Sequence, residues 1–224
     1  EGELFIHSSF PTTQQDAVFF GPDTYRFVYH LKQYLATEPR PFKRAAEICC
    51  GTSAAAISIA KYFPDHEEIF VADLNPKALL YSQLNIDFSG FASISPVQSN
   101  LFSNLEGQFD LIFANPPYLI DPEQRQYRHG GNELDGNELS FKIIKQGLQR
   151  LNSGGRLFLY TGATITRNGN RFLQYLQDLM QQHQNIHWSY EEIDPDIFGE
   201  ELEQPAYQHV ERIALALIKI EVCD

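Results

Sequence analysis

The chain has 224 residues, of which 43% are hydrophobic and 21% charged, with a formal net charge of −12. This length and composition fit one large globular domain, with or without a short extension, and exclude an intrinsically disordered chain. Lys and Arg are scattered singly, so the acidic balance weighs against a nucleic-acid duplex as main partner, although it says little about one recessed pocket.

In chain order, the short apolar run Leu4 to His7 reads as an edge strand. Pro22-Asp23-Thr24 opens a helix with Tyr25, Val28, Leu31 and Leu35 on one side. From residue 43 strands and helices alternate. Arg44 to Cys49 is a buried strand, Ala54 to Phe63 a helix, Glu68 to Asp73 a second strand and Pro76 to Phe88 a second helix. Ser93 to Val97 is a weaker third strand and Phe109 to Ala114 a strong fourth. Glu138 to Leu151 is a helix with Phe141, Ile144, Leu148 and Leu151 on one face. Gly154-Gly155 turns into a fifth strand, Arg156 to Tyr160, and Phe172 to Gln182 is another helix. His187 to Ile193 and Arg212 to Val222 are strands with no convincing helix between them, which predicts an antiparallel pair at a sheet edge. The alternation before them implies a parallel sheet covered on both faces.

Cys49, Cys50 and Cys223 form no CxxC pair, and the seven histidines show no HExxH spacing, so no metal site is expected. The sparse, odd cysteine count favours a reducing, cytoplasmic compartment. No apolar stretch reaches the length of a membrane span and no signal peptide is visible, so no membrane partner is expected. The first residue is Glu1 rather than Met.

Three places carry chemistry. After the first strand, Glu47-Ile48-Cys49-Cys50-Gly51-Thr52-Ser53 forms a strand-turn-helix junction where a ligand can approach the backbone, with Cys49 and Ser53 at positions where glycine is expected. Asp73 ends the second strand, about 20 residues after Gly51, the spacing at which a carboxylate accepts from ribose hydroxyls. Its bland reading is a helix cap, for which Asn75 competes. At the end of the fourth strand stands Asn115-Pro116-Pro117-Tyr118. Two prolines stiffen this segment and turn the Pro116 carbonyl outward, the Asn115 side chain offers a second acceptor, and Tyr118 offers a ring face. An amide or aniline-like nitrogen is a poor nucleophile because its lone pair is delocalised. Two acceptors gripping its N–H bonds favour pyramidal geometry and stabilise charge developing on nitrogen. Such a site requires no metal and no strong base.

The stretch from Leu119 to Asn137 is long, polar and glycine-containing, and reads as a binding loop or a solvated insertion. Arg125, Arg128 and His129 are its candidates for an anionic substrate group, and Asp135 or Asn137 caps the following helix.

This order of motifs resembles the class I S-adenosylmethionine-dependent methyltransferases that carry an Asn-Pro-Pro-Tyr signature, over about Phe19 to Val222. The resemblance implies an α/β, Rossmann-like three-layer sandwich with a seven-stranded, mostly parallel sheet whose last strand is antiparallel. It implies S-adenosyl-L-methionine as cofactor, with Glu47, Cys49, Gly51 and Ser53 at its methionine part, Asp73 and Leu74 at the ribose, and Asn100 and Leu101 at the adenine. Asn115, Pro116, Pro117 and Tyr118 would then be catalytic. Asn100 replaces a common aspartate. Phe20-Gly21-Pro22-Asp23-Thr24 resembles a segment that closes over the cofactor. Gly130-Gly131 and Leu134-Asp135-Gly136 are similar to a region of the release-factor glutamine methyltransferases, although the helical substrate domain of that group is absent here, and small-domain RNA and ribosomal-protein methyltransferases are also similar.

The expected layout is an extension over residues 1–40, an edge strand and a helix packing on the cofactor site, and a methyltransferase catalytic domain over residues 41–224. The expected reaction is N-methylation of an amide or exocyclic amino nitrogen on a protein glutamine, a nucleobase or a small molecule, with protein or small molecule favoured over nucleic acid. The altered turn at Cys49 and Ser53 motivates an alternative, a methyltransferase-like binding module without catalysis. A nicotinamide-dependent oxidoreductase would need the missing GxGxxG.

Overall fold

The computed structural model describes residues 3–37 and 39–223. Its seven strands are β1 (Arg44–Ile48), β2 (Glu68–Asp73), β3 (Ile94–Gln98), β4 (Phe109–Ala114), β5 (Leu151–Thr166), β6 (Ile186–Asp194) and β7 (Val210–Val222). They form one sheet in the order β3-β2-β1-β4-β5-β7-β6. β1 to β5 pair in parallel, whereas β7 runs antiparallel between β5 and β6. This is the mixed, Rossmann-like sheet expected from the sequence, with the antiparallel pair at its edge.

Apolar patterning explains the layers. β4 is the run Phe109 to Ala114, in which every residue except Asp110 is buried, as a strand covered on both faces requires. On one face, α4 (Glu138–Gly147) and α5 (Arg171–Met180) supply Ile143, Ile144, Phe172 and Leu176. On the other, α1 (Pro22–Thr37) and α2 (Ala54–Tyr62) supply Phe27, Leu31, Leu35, Ile57 and Ile59, and α3 (Pro76–Ser89) adds Ile86. The chain leaves β1 towards β2 and β3, then returns to place β4 on the other side of β1. A crevice therefore opens where β1 and β4 end, the position at which such sheets bind ligands.

Several expectations are corrected. Leu4 to His7 forms no strand. Ile6 N donates to Asn85 Oδ1 at 2.7 Å, so a side chain of α3 holds this segment instead of a sheet edge. Tyr25 is 64% exposed, and Phe27 takes its place on the buried side of α1. α4 ends at Gly147, and a 3-10 turn, Leu148–Arg150, follows before Leu151 enters β5. A Cβ on Gly147 would lie 2.6 Å from Leu157 Cδ1, which shows how closely the helix end lies on the sheet. β5 continues past Tyr160 because β7 pairs with it as far as Thr166. Asn137 stands at the N-cap position of α4, as expected for one of the two candidates, but its side chain makes no capping bond and instead donates inward to Gly162 O at 2.6 Å.

Candidate active site

The turn leaving β1 keeps a glycine-type backbone without its glycines. Cys49, Gly51 and Ser53 have φ of +57°, +54° and +57°. A side chain at such an angle costs about 1–2 kcal/mol, so Cys49 and Ser53 are held against their preference. Ser53 precedes α2 but makes no side-chain cap. Glu47 does the work from below, accepting from Ala56 N at 3.0 Å. Burial pushes the Glu47 carboxyl up to about 8.

Asp73 closes the turn from β2. Its carboxylate accepts from Gly51 N at 3.0 Å and from Asn75 N at 2.9 Å, and burial raises its pKa. Asn75 caps α3 by accepting from Lys77 N at 2.9 Å, so Asp73 is not the cap.

At the end of β4, the Asn115 side-chain amide and the Pro116 carbonyl take part in no hydrogen bond among the described residues, and both residues border a cavity. Tyr118 is 7% exposed. Its ring lies against Gly162, where a Cβ would come within 2.5 Å of Cδ2, and its centroid is 6.1 Å from that of Phe198. The loop from Leu119 to Asn137 is tied across this segment by Leu119 N→Arg128 O at 3.1 Å and Gly130 N→Leu119 O at 2.8 Å. It is therefore packed structure rather than a solvated insertion.

The cavity, about 570 Å³, joins these parts. Glu47, Cys49, Gly51, Asp73, Leu74, Asn100, Leu101 and Asn115 through Tyr118 all border it. Ser53 does not; it is fully buried and turned towards Ser82. Arg128 and His129 reach the cavity wall, whereas Arg125 is held by Asp121 at 2.6 Å. Arg128 is itself paired with Glu201. Neither arginine is an uncommitted anion receptor.

The segment from Phe20 to Thr24 reaches the cavity through Asp23 and Thr24, as its resemblance implied, but sequence reasoning did not specify the contacts made there, in the N-terminal segment or from α3. Asp23 receives the Tyr118 hydroxyl. Ser82 and Asn85 grip the turn from α3. Thr12, Ala17, Val18 and Phe19 border the cavity from the N-terminal segment, with Phe19 stacked on Tyr127 at 5.9 Å. For Ser82 and Asn85 the one visible signal is their three-residue spacing, which sets them on one helix face. No group of three potential metal ligands occurs among the described residues, and no helix among them is long and apolar enough to cross a membrane.

The family described as "Methyltransferase small domain" matches residues 27–189, well over half of the chain. The chain is 31% identical over 133 residues to the release factor glutamine methyltransferase of Rhodopirellula baltica, covering 54% of this chain and 45% of that protein. It is 32% identical over 129 residues to the ribosomal protein uL3 glutamine methyltransferase of Neisseria gonorrhoeae, covering 53% and 42%. The chain thus spans less than half the length of these relatives. Among solved structures, the ribosomal protein L11 methylase of Lactobacillus delbrueckii subsp. bulgaricus has a TM-score of 0.58 at 14% identity, covering 92% of this chain and 81% of that one. An rRNA methylase of Streptococcus thermophilus has a TM-score of 0.57 at 13% identity, covering 92% and 99%. These structures share the fold.

Proposed function

This chain belongs to the methyltransferase small domain family, and we propose that it is an S-adenosylmethionine-dependent N-methyltransferase acting on the side-chain amide of a protein glutamine. The observation that carries the reading is the pair of unengaged acceptors, Asn115 Oδ1 and Pro116 O, in the same cavity as the left-handed turn at Gly51. Glutamine is favoured over a nucleobase by the relatives' names and by the net charge of −12.

The cavity fits an adenosyl cofactor. A Cβ built on Gly51 meets nothing within 4 Å, so the backbone there is open to close approach. Glu47, Cys49 and Gly51 would hold the amino-acid end, Asp73 and Leu74 the ribose, and Asn100 and Leu101 the base, with Ser53 acting from behind the turn. Bound S-adenosylmethionine supplies an electrophilic methyl group. The protein's own part is orientation. Asn115 and Pro116 accept the two N–H bonds of the amide, aim its lone pair and stabilise positive charge developing on nitrogen. Pro117 stiffens the segment, and Tyr118 presents its ring to the planar amide. In this reading residues 41–224 are the catalytic unit and residues 1–40 the extension that covers the cavity.

The test pairs calorimetric titration with S-adenosylhomocysteine against transfer of labelled methyl to glutamine-bearing polypeptides. Asp73→Ala should weaken the titration. Asn115→Ala should leave it intact and lower transfer by about a hundredfold or more. Full transfer by Asn115→Ala overturns the assignment, and tight titration with no transfer to any acceptor leaves the binding module.

A further inference from the structure

Cys49 and Ser53 keep left-handed angles that their Cβ atoms resist, so contacts from outside the turn must oppose relaxation. Asp73 and the Ala72 carbonyl of β2 hold the Gly51 and Cys50 amides at 3.0 and 3.1 Å, and the remaining contacts come from one face of α3. Ser82 Oγ donates to Gly51 O at 2.9 Å and accepts from Ser53 Oγ at 2.8 Å. Asn85, one turn further on, donates from Nδ2 to Thr52 O at 3.1 Å. Three consecutive residues of the turn are therefore gripped by two side chains. Ser82 and Asn85 are 0% and 1% exposed, so water does not compete for these bonds. Neither borders the cavity, so neither would touch a ligand in it directly. Asn85 also accepts from Ile6 N at 2.7 Å and donates to Ile6 O at 3.2 Å, which fastens the N-terminal segment to the same point.

We propose that Ser82 and Asn85 are positioning residues that replace the missing glycines, clamping the turn from Cys49 to Ser53 in its ligand-accepting conformation. In glycine-bearing turns the left-handed angles are intrinsically accessible. Here the backbone preference is supplied by a polar clamp. The proposal rests on the reading of this turn as the cofactor turn.

Two readouts test it. Hydrogen–deuterium exchange over residues 47–57, without any ligand, reports the turn itself, and calorimetric titration with S-adenosylhomocysteine reports its use. Ser82→Ala should speed exchange over residues 47–57 and weaken the titration by about tenfold. Adding Ser53→Gly to Ser82→Ala should restore both, because glycine adopts the left-handed angle unaided. Ser53→Ala, which removes the hydroxyl that Ser82→Ala leaves unpaired but keeps the Cβ, should not restore them, so rescue by glycine alone separates positioning from mere structure. Where Ser82→Ala does not fold, near-isosteric Ser82→Cys, a weaker donor, should give intermediate exchange. Unchanged exchange in the Ser82 variants, or no rescue by Ser53→Gly, overturns the proposal. If the unaltered protein does not bind S-adenosylhomocysteine the cofactor reading fails, while exchange and its rescue still decide whether Ser82 clamps the turn.

Discussion

The Tyr118 hydroxyl donates to Asp23 Oδ2 at 2.5 Å, joining the end of the Asn-Pro-Pro-Tyr segment to the first turn of α1. Tyr160 of β5 donates to the other oxygen, Oδ1, at 3.0 Å. Burial, reinforced by the Asp23 charge, pushes the Tyr118 hydroxyl well above its ordinary value, so it remains a protonated donor. Asp23→Ala would leave the Tyr118 hydroxyl unpaired in the interior, a loss of about 1–3 kcal/mol, and would leave the Tyr160 hydroxyl with Arg26 alone. The expected result is a lower urea midpoint and methyl transfer reduced more than affinity for S-adenosylhomocysteine, because the turn at Gly51 is untouched. Transfer at the original rate in Asp23→Ala would show that the Tyr118 ring needs no such anchor.

Gly130 is where the loop after β4 crosses the acceptor segment. A Cβ there would lie 2.0 Å from Gly136 O, 2.6 Å from Tyr118 Cα and 2.7 Å from Pro117 O. All three are backbone atoms, so relief requires the loop or the segment to move. Gly130→Ala should therefore cost about 1–3 kcal/mol in stability and displace the Pro116 and Pro117 carbonyls. Methyl transfer by the folded variant should fall steeply. A variant that keeps both stability and transfer would mean that the loop can lift away from the segment.

Much of this was legible because strand carboxyl ends are fixed by topology. Once Arg44, Glu68 and Phe109 were recognised as starts of parallel strands, Gly51, Asp73 and Asn115 had to lie along one edge. Hydrophobic periodicity placed most helices, and it failed where the periodic residue was amphipathic. Tyr25 fits the stripe of α1 but can leave its hydroxyl in water, and Phe27 cannot. The run Leu4 to His7 reads as a strand because a short apolar run does not specify its partner; here the partner is one amide side chain, Asn85. The Ser82 clamp and the Asp23 bond to Tyr118 were hidden for the same reason, since both depend on residues brought near by the fold. The lost glycines were visible at Cys49 and Ser53, but the contacts that compensate for them were not.

The two adjacent thiols of the turn should be inert. Burial, with the Asp73 and Glu47 carboxylates adding to it, raises Cys49 and Cys50 well above the ordinary value of 9.0. Only the thiolate attacks an alkylating reagent, so neither should react at neutral pH while the protein is folded. Mass spectrometry after brief iodoacetamide treatment should find both unmodified in the native protein and both carbamidomethylated after denaturation. Rapid native labelling of Cys49 would mean that the cavity stabilises a thiolate there.

Glu47 should make stability fall with rising pH. In the unfolded chain its carboxyl titrates near 4.5, and in the folded protein burial holds the proton to about 8. Between those values the folded state binds one more proton than the unfolded state, so raising the pH favours unfolding. The Glu47 contribution is complete below 4.5 and is lost progressively as the pH approaches 8. Glu47→Gln removes this titration while its amide oxygen can still accept from Ala56 N, the bond Glu47 makes now. The other carboxylates remain in both proteins and largely cancel in a comparison. Thermal melts across this range should show the unaltered protein losing ground to Glu47→Gln as pH rises, with a level difference below 4.5 and above about 8. A difference that is level throughout would mean that Glu47 is ionised in the folded protein and that water reaches it through the cavity.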